Sequence, residues 1–204
     1  MSKTKPTKFI LGPGRLSFPK IFKPNAAEFG GKYAATILLP PEYDFAPLKK
    51  AMFDVAVAKF GADKSKWPRN LRGPNEVIRD CAEKSNMAGY LPGWHFLTAS
   101  SVDMPGVVDA SLSPVTDERE AYAGRWIMMS VNVYAYSNVT HGVSLGLQNI
   151  QLRKHDDPFS SRVRAEDEFE AAYEEMSEFD RSGAGGDFTS GSSTGGSSAG
   201  SDWD

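Results

Sequence analysis

Between residues 126 and 136 the chain alternates without a break. Ile127, Met129, Val131, Val133 and Ala135 fall on odd positions, and Trp126, Met128, Ser130, Asn132, Tyr134 and Tyr136 on even ones. Successive side chains of a strand point to opposite faces, so this period of two specifies one extended strand with a wholly apolar side. A helix would scatter the same residues around its circumference. The chain must therefore build a β-structure in which the odd face meets a core. The even face is harder to place: it is neither a polar surface nor a second core face, but a row of aromatic and hydrogen-bonding groups on the outside.

The rest of the body fits a small β-domain around that strand. Residues 124–137 and 142–152 form the strongest pair, joined by a turn at Asn138-Val139-Thr140-His141-Gly142. Residues 16–22 read as an edge strand, since Pro19 is awkward in a central one. Gly30-Gly31 turns the chain into a strand over 32–39, stopped by Pro40-Pro41. Phe45, Leu48, Met52, Val55 and Phe60 then recur at helical spacing up to Gly61, which predicts an amphipathic helix over 45–60. Residues 61–93 are irregular and rich in Pro, Gly, Lys and Arg, with a short helix expected around 75–84. Strands resume at 94–101 and near 107–108. About five strands and one main helix fit a Greek-key barrel of the OB-fold type better than a sandwich.

Charge divides the chain in two. Residues 1–155 hold 20 Lys and Arg against 13 Asp and Glu, whereas residues 156–204 hold 3 against 13, and the net charge is −3. A basic body attracts polyanions, and an acidic appendage competes for the same surface. Residues 165–179 carry Phe169, Tyr173, Met176 and Phe179 at helical spacing among carboxylates, so 156–180 reads as an acidic, partly helical segment. Residues 181–204 are mostly Gly, Ser, Thr, Ala and Asp, too poor in apolar side chains to fold alone, and read as a disordered tail. No signal peptide or apolar run of roughly 20 residues is present, so a soluble protein of the cytoplasm, without a membrane partner, is expected.

Several function classes are disfavoured. Cys81 is the single cysteine, in Arg-Asp-Cys-Ala-Glu, with no Cys-x-x-Cys or His-x-x-x-His spacing to His95, His141 or His155. It reads as an ordinary small buried side chain rather than a nucleophile or metal ligand. Asp103, Asp109, Asp117, Glu118 and Glu120 lack the clustering a metal-dependent nuclease needs, and there is no Gly-Lys-Ser/Thr phosphate loop. Neither catalysis nor a cofactor or metal is expected.

Exposed aromatics on a barrel strand suit unpaired nucleic acid. Each base offers a π-face, and stacking is worth ~1–3 kcal/mol per base with little regard to identity. Trp126, Tyr134 and Tyr136 are the candidate stacking residues, with Asn132 and Ser130 between them. Trp94, Phe96 and Tyr33 are further candidates on their own strands. Phosphate partners would be Arg125, Lys20, Lys23 and Lys32, Arg153 and Lys154, with Arg69 and Arg72 (beside Trp67) from the irregular segment. Two other readings stay open on the residues alone. The rings could be covered by 61–93 or by the acidic segment as a second small core, or they could bind protein, as in an accessory or assembly factor.

Tyr122-Ala-Gly-Arg-Trp126, Ser130-Val-Asn-Val-Tyr-Ala-Tyr136 and Gly142-Val-Ser-Leu-Gly-Leu-Gln-Asn-Ile150 resemble a family of tailed-phage single-stranded-DNA-binding proteins. So do Phe18-Pro-Lys-Ile-Phe-Lys-Pro24, Gly31-Lys-Tyr-Ala-Ala-Thr-Ile-Leu-Leu-Pro40 and Ala165-Glu-Asp-Glu-Phe169. The resemblance covers most of residues 10–155 and implies an OB-fold body over 1–155 that coats single strands in phage replication and recombination. It also implies an acidic C-terminus that shields the DNA groove and recruits replication or recombination proteins such as a polymerase, helicase/primase or nuclease. Asp202-Trp203-Asp204 would carry that recruitment, although this segment ends on Asp204 and not on the aromatic residue itself. Self-association is left open.

Overall fold

The computed structural model describes residues 7–25 and 30–159. Seven strands form one curled sheet: β1 (Thr7–Asn25), β2 (Lys32–Leu39), β3 (Arg79–Asp80), β4 (His95–Ser101), β5 (Gly106–Val108), β6 (Trp126–Ser137) and β7 (His141–Leu152). Five of them, in the order β4-β2-β1-β6-β7, pair antiparallel, and a parallel contact between Ser100 and Gly146 closes the ring. This is the expected mainly-β, OB-like five-stranded barrel. Closure removes the exposed edges that an open sheet of this length would present.

The odd face of β6 points inward as its alternation requires: Ile127, Met129, Val131 and Val133 are fully buried. They meet Leu11 and Leu16 of β1, Ile37 and Leu39 of β2, Leu97 of β4, and Leu145, Leu147 and Ile150 of β7. The helix α1 (Ala46–Phe60) packs on this core through Leu48, Ala51, Met52, Val55 and Ala56. Pro47 occupies its first turn, and Gly61 ends it at φ +93°, donating its N–H to the carbonyl of Val57. That φ is open to glycine and costly for a side chain.

Two expectations change in form. The strand placed at 16–22 is part of a longer one: β1 pairs with β6 over its first half and with β2 over its second, so beyond Leu16 it has a ladder on one side only and Pro19 sits on an edge, as expected. It accommodates its prolines at irregularities, with register shifts between Leu11 and Gly14 and between Ser17 and Lys20. There the proline lacks no ladder bond, because the ladder is already broken. The helix placed at 75–84 is divided into α2 (Pro74–Val77), β3 and a 3-10 turn over Cys81–Lys84.

A second, smaller core lies on the outer side of the barrel wall. Leu38 of β2 and Phe96 of β4 point outward, where Cys81 and Tyr90 cover them, and Phe18, Met87, Trp94 and Phe159 pack around them. Burial pushes the Cys81 thiol up to about 11, with the Asp80 carboxylate adding to the shift and Lys84 opposing it.

Candidate nucleic-acid interface

The even face of β6 is the outside of the barrel. Trp126, Met128, Ser130, Asn132 and Tyr136 are half-buried there and Tyr134 is exposed, while Ile127, Met129, Val131 and Val133 between them are sealed in the core. The strands on either side set its neighbours. Across β1, Lys8 stands opposite Asn132, Ile10 opposite Ser130 and Arg15 opposite Trp126. Across β7, Gln151, Asn149, Gly146, Ser144 and Gly142 stand opposite Met128, Ser130, Asn132, Tyr134 and Tyr136. The result is a shallow strip of rings, amides and hydroxyls. Ile10 is 61% exposed, and Ser130 Oγ is buried with no hydrogen-bond partner.

One end of the strip is the β6–β7 hairpin. The Tyr134 and Tyr136 rings lie 6.4 Å apart, inclined at 55°. Arg72 is brought alongside by backbone pairing: its N–H donates to the carbonyl of His141, and the N–H of Val143 donates to its carbonyl, both at 3.0 Å. Gly142 makes that approach possible. A Cβ there would stand 2.7 Å from Arg72 Cβ and 3.0 Å from Tyr136 Oη. The Arg72 side chain is exposed, with its guanidinium donating to the carbonyl of Glu76. So the irregular 61–93 segment does deliver a cation to the aromatic strand.

The other end centres on Trp126. Its ring lies 6.4 Å from that of Trp94, and the Arg15 guanidinium and Lys154 ammonium lie 5.6 and 5.1 Å from its centroid. Its indole N–H donates to Asp156 Oδ2 at 2.6 Å, and Arg15 Nη1 reaches the same oxygen at 3.0 Å. The indole hydrogen bond and the Asp157 N–H hold the Asp156 carboxyl below its ordinary range, aided by the charges of Arg15 and Lys154.

Some sequence candidates fall elsewhere. Phe96 is 2% exposed inside the second core, so no base can reach it. Arg125 is 6% exposed; its guanidinium is engaged by the Glu120 carboxylate and by the carbonyls of Glu120 and Arg153. It precedes the strand and turns toward the 118–120 turn, not onto the face. Tyr33 shares the inward register of β2 with Ala35, Ile37 and Leu39 and is half-buried. Lys20 and Lys32 are exposed, but on the β1–β2 pairing, away from β6. Lys23 is ion-paired with Glu118 at 2.7 Å, a bond that raises its pKa. Arg69 and Arg153 are exposed, the latter bonded to Gln151. Asp202, Trp203, Asp204 and the apolar stripe of 165–179 lie outside the described residues.

Arg15, Lys8, Ile10, Asp156 and Phe159 join the site without having been singled out in the sequence. The first three sit on the half of β1 that Gly12-Pro13-Gly14 makes look like a turn. Among the described residues no group of three or more His, Cys, Asp or Glu is placed to hold a metal ion.

A family model described as the ssDNA-binding protein of Enterobacter phage Enc34 matches residues 7–180. Protein p50 of Acyrthosiphon pisum secondary endosymbiont phage 1 is 29% identical over 160 residues, covering 75% of this chain and 86% of its own length. Among solved structures, the single-stranded DNA-binding protein from bacteriophage Enc34 in complex with ssDNA superposes with a TM-score of 0.58 at 21% identity, covering 75% of this chain and 89% of that one. Gp2.5, a single-stranded DNA-binding protein encoded by bacteriophage T7, gives 0.52 at 15% identity, covering 77% and 97%. At these identities the superpositions establish the shared fold.

Proposed function

The chain belongs to the family of the phage Enc34 ssDNA-binding protein, and from that premise we propose that it binds single-stranded DNA along the outward face of β6 and β7. The observation that carries this reading is the even face itself, a row of rings and amides held outside a complete hydrophobic core and flanked by Lys8, Arg15, Arg72 and Lys154. Tyr134 and Tyr136 stack on successive bases, and Trp126 with Trp94 supplies a second stacking site at the far end of the strand. Asn132 and Ser130 meet base edges or sugars between them. The cations hold the backbone, which makes binding salt-sensitive and largely indifferent to sequence.

The protein coats and protects single strands in phage replication and recombination within the host cytoplasm and performs no chemistry of its own. Its acidic segment beyond the body shields the groove when DNA is absent and recruits replication proteins, with Asp202, Trp203 and Asp204 as the contact. No helix among the described residues is long and apolar enough to cross a membrane.

Anisotropy titration of a labelled oligo-dT against the matched duplex, over a range of salt, tests the reading. Preference for the single strand is expected. With about six phosphates contacted, log affinity should fall against log salt with a slope near −4, at ~0.7 per contact. Equal binding of duplex, or none at low salt, would leave a protein-binding role for the aromatic face.

A further inference from the structure

After β7 the chain runs back along residues 122–126. Arg153 N–H donates to the carbonyl of Trp126 at 2.8 Å, and Phe159 N–H to that of Ala123 at 2.9 Å. The Tyr122 hydroxyl donates to the carbonyl of Asp156 at 3.0 Å, and Arg15 Nη2 to that of Asp157 at 2.8 Å. Bonds to its backbone thus hold this strap independently of Asp156 Oδ2. Arg15 is fixed independently too: its Nε–H donates to the carbonyl of Gly124, and its guanidinium packs 4.9 Å from the centroid of Phe159.

Against this fixed frame the carboxylate of Asp156 fills a separate position. Its Oδ2 receives the indole N–H of Trp126 and the remaining arm of Arg15, beside the ammonium of Lys154. Two donors converging on one oxygen, with a second cation nearby and half-exposed rings of Trp126 and Trp94 adjoining, is how a phosphate oxygen is held next to a stacked base. We infer that Trp126 Nε1, Arg15 and Lys154 form a phosphodiester-binding subsite that the Asp156 carboxylate occupies in the DNA-free protein, and that a DNA phosphate displaces it.

The inference rests on the ssDNA reading and deepens it. It also has a distinctive salt signature. In the parent, the phosphate bound at Arg15 releases its cation, but the displaced Asp156 carboxylate takes one up, so the site adds little to the salt slope. Asp156→Asn leaves Arg15 anchored by carbonyls with an open anion site, and a phosphate bound there releases its cation with no carboxylate to take one up.

The test compares the full chain with its Asp156→Asn and Asp156→Glu variants in oligo-dT titrations across salt. Asp156→Asn is expected to bind several-fold more tightly at low salt with a slope steeper by ~0.7, one further phosphate equivalent. Asp156→Glu, which keeps the charge, is expected to stay near the parent slope. A folded Asp156→Asn with unchanged or weaker affinity and the parent slope overturns the inference while leaving the ssDNA reading intact. A parent that does not bind oligo-dT removes both. The indole N–H proton resonance of Trp126 gives a readout that needs no variant. It is expected to shift in the oligo-dT complex as the carboxylate hydrogen bond is exchanged, and a resonance that stays in place at saturation overturns the inference.

Discussion

Gly142→Ala probes how the irregular segment is tied to the aromatic strand. The glycine's φ is one any residue adopts, so the effect is steric rather than conformational. The new Cβ would stand 2.7 Å from Arg72 Cβ and 2.8 Å from the Arg72 carbonyl oxygen, with backbone on one side and a strand on the other. Residue 72 must then withdraw, which breaks its two hydrogen bonds, to the His141 carbonyl and from the Val143 N–H. Two such bonds are worth about 1–3 kcal/mol net. The reduced freedom of the unfolded chain returns about 0.4–1 kcal/mol for a glycine replaced by alanine. A net loss of about 1–2 kcal/mol in denaturant unfolding is therefore expected. DNA affinity should fall as well, because Arg72 no longer stands beside Tyr136. In an Arg72→Ala background the same substitution should leave DNA affinity unchanged. An unfolding free energy within about 0.3 kcal/mol of the parent, or a full DNA effect without Arg72, would refute the reasoning.

Three further outcomes separate the surface from the core. Tyr134→Ala should cost ~1–3 kcal/mol of oligo-dT affinity, much the same on oligo-dA, with little change in melting temperature, whereas Phe96→Ala should cost ~3–5 kcal/mol of stability and spare the affinity of the chains that remain folded. Cys81 should resist alkylation at mildly alkaline pH until the protein is unfolded; its thiol titrates at about 11 rather than 9.0, so its contribution to stability is complete below 9.0 and is lost as pH rises toward 11. Deleting residues 181–204 should tighten oligo-dT binding and abolish capture of replication proteins, and an unchanged affinity would count against shielding by that segment.

The inward half of the site's strand was legible because alternation with one apolar side admits a single geometry. The cation at the hairpin was half-legible: Arg72 stood out beside Trp67, but its pairing with His141 and Val143 depends on a glycine seventy residues away. Other errors have local causes. Gly12-Pro13-Gly14 looks like a turn, yet β1 passes through it as an irregularity, so Lys8, Ile10 and Arg15 were missed as neighbours of β6. Phe96 follows the outward alternation of β4 correctly, but alternation says nothing of what lies over the sheet, and Cys81 and Tyr90 cover it. Arg125 adjoins Trp126 in sequence, but it lies outside the strand, where Glu120 captures it. Asp156 read as the first charge of an acidic segment. Only the course of the chain back along 122–126 brings it to the indole.

Ultraviolet cross-linking of oligo-dT to the full chain, followed by peptide mapping, tests most directly where DNA lies. The account predicts adducts on Tyr134 and Tyr136 and on the Trp126–Trp94 pair, all suppressed by added salt. Adducts confined to Phe53 of α1 and to Trp67, whose ring lies 5.9 Å from it, with β6 unmarked, would contradict it.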